Sequence, residues 1–297
     1  MKTVILGTRG SKLATAQAEF LVQHLKDKGF EVEWKLFTTS GDRWLEGPLD
    51  QRGGTGFFTK ELEDALVGGG VDLLIHSLKD VAIERPAGIV TACIPEREDP
   101  ADWLVLRKDA PAAPRVGTSS VRRERMLKAA HPDWSFTWIR GNVPTRVQRV
   151  REGLLREEPL HATLLAASGL KRLELDLADL EVRALSPEEL LPAPGQGALL
   201  AETRPERADI IEAFADLHCA ATARCVALER GVLKGLGGGC QMPLGALATV
   251  DSTGRVLLRA VHAADAGIRR AEAHGAAAGE SDDAGVLRAV LAGLGVP

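Results

Sequence analysis

The chain has 297 residues, enough for two or three domains with proper cores, and its 45% hydrophobic and 26% charged content is ordinary for a soluble globular protein. A net charge of −4 excludes a generally basic, nucleic-acid-coating surface, so any anion site must be local. No apolar run approaches a membrane span and residues 1–9 do not form a signal peptide, so a cytoplasmic protein with reduced cysteines is expected.

Residues 3–7 predict a strand that runs into Thr8-Arg9-Gly10-Ser11 and then a helix to about Lys28. Ser11 suits its N-cap, and Ala14, Ala18, Leu21, Val22 and Leu25 form its apolar stripe. Residues 31–38 follow as a strand. Residues 41–56 are long, glycine-rich and aperiodic, and are expected to form a lid loop. Residues 57–67 predict a helix carrying Lys60. After the triple glycine at 68–70, the apolar run 71–75 reads as a buried parallel strand with His76, Ser77, Lys79 and Asp80 at its carboxyl end, where open α/β sheets hold ligands. A strand near 89–94 leads into the turn-rich crossover 95–100.

From Arg115 the pattern restarts. Val116-Gly-Thr-Ser-Ser120 enters a helix as Leu6-Gly-Thr-Arg-Gly-Ser11 did; residues 136–139 are a strand, Asn142 caps a helix, and residues 162–166 are a strand ending in Ala167-Ser168-Gly-Leu-Lys171-Arg172. Gly117 follows Gly7 by 110 positions and Ser168 follows Ser77 by 91, so the second half lacks about as many residues as the lid holds. Two similar α/β lobes are expected: 1–95 with the return segment 190–207, and 100–187. Residues 208–297 change character, with helix to about 236, a tight Gly237-Gly-Gly-Cys240 loop, a hairpin at Asp251-Ser-Thr-Gly254 and a closing helix, and predict a small α+β domain.

Arginine recurs at strand ends and helix starts: Arg9, Arg122 with Arg123, Arg140 with Arg146, and Arg172. Arg122 and Arg123 fall in a first helical turn, where the macrodipole disfavours cations by roughly 0.3–1 kcal/mol each. Beside Thr118, Ser119, Ser120 and open helix N–H groups, the pair implies a bound anion. Spread over both lobes, these cations suit a ligand with several carboxylates or phosphates. No Walker loop is present, which argues against nucleotides. Of the cysteines, Cys93, Cys219 and Cys225 read as core residues, whereas Cys240 follows three glycines and is presented on a bare loop.

Taken together, the motifs closely resemble the porphobilinogen deaminase (hydroxymethylbilane synthase) family. The matching stretches are Thr8-Arg-Gly-Ser11 with Leu13, Ala14 and Gln17; 56–62 with Phe58 and Lys60; His76-Ser-Leu-Lys-Asp-Val81; Arg97-Glu-Asp99; Val116-Gly-Thr-Ser-Ser-Val-Arg-Arg123; Arg140-Gly-Asn-Val143 with Thr145-Arg146; Gly169-Leu-Lys-Arg-Leu173; Pro194-Gly-Gln-Gly-Ala198; and Gly238-Gly-Cys-Gln-Met-Pro-Leu-Gly245. Two departures stand out: Thr55 where the family usually has Lys, and Ala82 where Pro is common.

The resemblance implies two lobes of periplasmic-binding-protein type and a transferase of tetrapyrrole (haem) biosynthesis. It implies a dipyrromethane cofactor attached by a thioether to Cys240. Four porphobilinogen molecules are condensed head to tail with loss of ammonia, and water releases linear hydroxymethylbilane. By matching positions, Ser77, Lys79, Thr118, Ser120, Arg122 and Arg123 hold the cofactor's carboxylates. Arg9, Ser11, Gln17, Arg140, Arg146 and Arg172 take the incoming substrate, and Gln196 meets the cleft from the hinge. Asp80 is the catalytic carboxylate, placed to stabilise the azafulvenium cation or to move its protons. A cytoplasmic monomer without metal, nucleic acid or membrane partner is implied. A two-lobed binding module for a small dianion is the rival reading; it leaves Cys240 and the third domain without a task, and the intact mass separates the two.

Overall fold

The computed structural model describes residues 2–43, 59–239, 242–265, 267–275 and 282–296. The elements run β1 (Lys2–Arg9), α1 (Lys12–Asp27), β2 (Phe30–Phe37), α2 (Ser40–Arg43), α3 (Lys60–Val67), β3 (Leu73–Ser77), β4 (Val90–Cys93), β5 (Asp102–Arg107), β6 (Arg115–Gly117), α4 (Val121–Ala130), β7 (Ser135–Thr137) and α5 (Val143–Glu152). They continue with β8 (Leu154–Leu155), β9 (Glu158–Pro159), β10 (Ala162–Ala166), α6 (Ala167–Leu173), β11 (Leu180–Ala184), β12 (Leu199–Thr203), α7 (Ala208–Ala213), α8 (Ala220–Gly235), β13 (Leu244–Val250), β14 (Val256–Ala264), β15 (Gly267–His274) and α9 (Asp283–Gly293).

The two lobes share one plan. The first sheet has the order β2-β1-β3-β12-β4 and the second, read from its other edge, β7-β6-β10-β5-β11. In each, three parallel strands adjoin one strand that runs antiparallel to both its neighbours. That strand comes from a crossing segment: β5 opens the second lobe and β12 returns to complete the first. The expected doubling of a binding-protein-type lobe is therefore present in strand order and sense, although β5 and β11 were not anticipated. Leu6 pairs with Leu73, and Val116 with Ala162. This register makes Lys79, not Ser77, the counterpart of Ser168, and Asp80 the counterpart of Gly169. The match by hydroxyl letters was two residues out, because register is set by the paired strands and not by the residues beyond them.

Apolar periodicity decides the packing. Leu21, Val22 and Leu25 of α1 are fully buried on Val4, Leu6, Leu73 and Ile75. Burying such side chains stabilises by about 1.5–3 kcal/mol each. Ile210, Ala213 and Phe214 join the same core, so α7 belongs to the first lobe by packing and the boundary expected at 208 falls too early. The last domain is the sheet β13-β14-β15 under α8 and α9. Leu244, Ala246 and Ala248 face those helices, whereas Leu247 faces the second lobe's core with Val261 and Ala263, so strand alternation docks this domain on that lobe. The edge strand β15 was not anticipated.

The two crossing segments lie side by side. Arg97 Nε donates to Gln196 O at 2.8 Å, and Glu98 N to Gly197 O at 3.3 Å. Gly197 has φ +90°, and a Cβ there would run into Glu98 O. Glu229 of α8, with no exposed surface, takes both Arg97 amino groups at 2.6 and 3.1 Å and the Gly195 and Ala248 N–H groups at 2.7 and 2.9 Å.

Candidate active site

The cleft lies where β1 and β3 end facing the start of α6. Thr8, Arg9, Ser11, Gln17, His76, Ser77, Lys79 and Asp80 line one side, and Ala166, Ser168 and Gly169 the other; it encloses about 610 Å³ including its open mouth. The turn that carries Asp80 is fixed from beneath. Leu78 and Val81 bury into a core with Ala198, Leu200 and Val226, which leaves Lys79 and Asp80 on the cleft side of a single 3-10 turn, Leu78–Asp80. Arg230 of α8 donates to the carbonyls of Val81 and Ala82 at 3.0 and 2.6 Å.

Beneath β3 lies a buried charge cluster. Arg85 binds Glu202 with Nε at 2.9 Å and Nη2 at 2.5 Å, and Glu63 with Nη1 at 2.5 Å. His76 Nε2 sits 3.6 Å from Glu202. Burial, reinforced by Arg85 and Arg9, pushes the His76 imidazole down to about 3, so it is neutral at physiological pH. Burial likewise lowers Lys79 to about 8, against the opposing pull of Asp80.

Of the arginines expected at an anion site, Arg9 lines the cleft, and Arg122 and Arg123 rest on a carboxylate of the chain itself. The anion beside this first helical turn is Asp102, the first residue of β5 and fully buried. Burial pushes its carboxyl up, but Arg122 and Arg123 outweigh that and hold it well below the usual range. Ser11 and Ser120 cap their helices, accepting from Ala14 N at 3.2 Å and Arg123 N at 3.4 Å, and Thr118 Oγ1 accepts from Ser120 N at 3.2 Å. Gln196 is buried in the crossing segment, with Oε1 3.3 Å from Lys79 Nζ. Arg172 donates to Gly197 O at 3.3 Å, and Arg146 to Gly141 O at 2.9 Å. Burial lowers Arg140 and Arg172, and lowers Arg146 to about 10 with help from the neighbouring Arg123 and Arg140. Arg146 is thus a desolvated cation beside two other cations, whereas Arg172 has Glu98 as its charged neighbour.

Thr8, quoted only as part of a motif, and Asp102 are site residues that the sequence did not single out. Thr8 Oγ1 is buried at the cleft without a hydrogen-bond partner among the described residues. Its signal was the repeat of Gly7-Thr8 in Gly117-Thr118; that of Asp102 was a carboxylate opening the apolar run 103–106. Cys240, the lid from residue 44 onward and Thr55 lie outside the described residues. Beside Cys240, Gly237 takes φ +68°, Met242 N donates to Gly239 O at 3.0 Å, and Met242 packs on the last domain's core. Among the described residues, no group of three or more His, Cys, Asp or Glu could hold a metal ion, and no helix is long and apolar enough to cross a membrane.

Comparison with known proteins bears on this site directly. A profile described as "Porphobilinogen deaminase, dipyromethane cofactor binding domain" matches residues 4–212, and one described as "Porphobilinogen deaminase, C-terminal domain" matches residues 223–290. The chain belongs to the porphobilinogen deaminase family. Relatives named porphobilinogen deaminase include that of Shouchella clausii, 43% identical over 87% of this chain and 83% of its own length. That of Nitratidesulfovibrio vulgaris strain DP4 is 43% identical over 86% and 82%, and that of Albidiferax ferrireducens 44% over 84% and 79%. The family's dipyrromethane carries acetate and propionate groups. The desolvated Arg146 and the Thr8 hydroxyl, which has no partner among the described residues, are donors of the kind such a polyanion requires, so the residues present fit it.

Proposed function

We infer that the protein is a hydroxymethylbilane synthase, joining four porphobilinogen molecules head to tail with loss of ammonia and releasing the linear tetrapyrrole to water. The carrying observation is that Arg9, Lys79 and Asp80 meet Ser168 and Gly169 across one cleft. When bound at Cys240, dipyrromethane supplies the pyrrole carbon onto which the chain is built.

The chain's own residues do the rest. Ser77, Lys79, Thr118, Ser120, Arg122 and Arg123 hold the cofactor's carboxylates. Arg9, Ser11, Gln17, Arg140, Arg146 and Arg172 receive the carboxylates of the incoming pyrrole, with planar guanidinium groups suited to two-oxygen contacts. Ser11 and Ser120 serve through the hydroxyl protons that capping leaves available. Asp80 offsets the positive charge that appears on the substrate's pyrrole as ammonia departs, in a cleft where a fixed carboxylate counts for more than in water. It also exchanges protons with the departing amine and the attacked carbon.

Asp80→Glu keeps the charge and moves it; Asp80→Asn keeps the shape and removes it. Single-turnover ammonia release by cofactor-loaded protein is expected to fall far more for Asn, by roughly 3–4 kcal/mol of barrier or more. Equal rates for Asn and wild type would leave Asp80 a solvated strand-end residue. As isolated, the protein is expected to weigh more than its 297 residues by one dipyrromethane.

A further inference from the structure

Asp102 has no surface of its own and cannot reach a ligand, yet it sits at the junction of everything that can. Its Oδ1 accepts from Arg123 Nε at 3.0 Å, Arg123 Nη2 at 2.6 Å and Gln196 Nε2 at 3.1 Å, and its Oδ2 from Arg122 Nη2 at 2.8 Å. The other ends of the guanidinium groups are tied to the chain: Arg122 Nη1 to Leu191 O at 2.6 Å and Arg123 Nη1 to Leu164 O at 2.9 Å. Gln196 Nε2 also donates to Pro100 O at 2.8 Å. With two acceptors on its amino group the amide has one sensible orientation, which presents Oε1 to Lys79 Nζ in the first lobe.

The equivalent position in the first lobe, by register, is Leu199: Asp102 pairs with Ala166, and Leu199 with Ser77. The carboxylate is therefore no requirement of the lobe's plan. It occurs on the side where two adjacent arginines must be held in a helix start that disfavours them. Around it, Lys79, Arg122 and Arg123 outnumber Asp80 and Asp102, so the cluster keeps a surplus of positive charge.

We propose that Asp102 is a positioning residue for the cofactor site, setting both α4 guanidinium groups and, through Gln196, the Lys79 ammonium of the opposite lobe before any ligand carboxylate arrives. The proposal rests on the reading of the cleft as the dipyrromethane site. Ordering long cationic side chains in advance removes that entropy from the binding step. It also links the lobes through one crossing residue, so the carboxylate sites on the two sides keep a fixed spacing.

Among the described residues, the charged groups that act on Lys79 include Asp80 on its own turn, Arg122 and Arg123 on α4, and Asp102 on β5, joined to it through Gln196. Asp102 raises the Lys79 pKa and the arginines lower it. Removing the Asp102 charge must then move the loss of the Lys79 proton to lower pH, an effect that mere loosening of the core does not produce.

The test uses full-length apoprotein, produced without porphobilinogen and loaded with hydroxymethylbilane, with intact mass read against time from pH 6 to 9. Wild type is expected to load and to lose loading rate above about pH 8. Asp102→Asn is expected to load on the order of tenfold to a hundredfold more slowly, with its alkaline limb at lower pH. Gln196→Met, which keeps the Asp102 charge and its arginine contacts but removes the amide that joins it to Lys79, is expected to shift the limb in the same direction; it remains informative if Asp102→Asn does not fold. An Asp102→Asn protein that loads at the wild-type rate with an unmoved limb, or a folded Gln196→Met with an unmoved limb, overturns the proposal. Failure of wild type itself to load overturns instead the reading of the cleft.

Discussion

His76 and Asp102 are buried titratable groups whose acid responses occupy different windows. His76 is depressed to about 3 in the fold by burial, Arg85 and Arg9, so the unfolded chain binds its proton first as pH falls below about 6.5. Its stability contribution is complete above that value and is lost between there and about 3. Asp102 is a depressed carboxyl: its contribution is complete above the unfolded value of about 4 and is lost at lower pH still. Urea midpoints measured from pH 7 to 3 are expected to fall less steeply for His76→Gln, with the difference opening below about 6.5. Parallel curves would mean that the imidazole is protonated in the fold. Burial also raises Cys93 to about 12 and Cys225 to about 11, so both thiols are expected to resist alkylation at pH 8 in the native protein and to react once it is unfolded in urea.

Helix α8 joins more of the molecule than its length suggests. Its Cys225, Leu228, Val232 and Leu233 build the last domain, Val226 enters the core under the Asp80 turn, Arg230 holds that turn's carbonyls, and Glu229 holds the crossing segments. One helical face per partner follows from the 3.6-residue period. Glu229→Ala leaves Arg97 buried without its carboxylate and strips acceptors from two backbone N–H groups. It is expected to cost about 3–5 kcal/mol of stability by denaturant unfolding. A loss below about 1 kcal/mol would mean that water replaces the pair, as at exposed sites.

At the level of the molecule, the chemistry is divided between the lobes: Asp80 comes from the first, and Arg122, Arg123, Arg140, Arg146 and Arg172 from the second. The doubled lobes are equal in strand order but not in chemistry, since the register puts Gly169 where the first lobe has Asp80. Gly169 approaches Leu13 of α1, where a Cβ would stand 3.5 Å from Leu13 Cδ2, an ordinary van der Waals contact between the lobes beside the cleft. Cys240→Ser is expected to give protein of plain polypeptide mass with little activity. Dipyrromethane still attached to that variant would move the attachment to another residue.

Local pattern sufficed for much of this protein. The 3.6-residue stripe of α1, the caps Ser11 and Asn142, the apolar run before His76 and the repeated Gly-Thr step each depend on neighbours in the chain, so the two lobes and their order were legible without coordinates. Strands β5, β11 and β15 were not legible, because their identity depends on partners supplied from elsewhere in the chain. The place of α7 in the first core was hidden for the same reason. The arginine pair marks the division most clearly. Its unfavourable position in a helix start correctly announced an anion, but whether that anion was a ligand or a side chain twenty residues away was decided by the crossing that brings Asp102 beside it. Long-range pairing and burial set that choice, and neither leaves a periodic trace in the sequence.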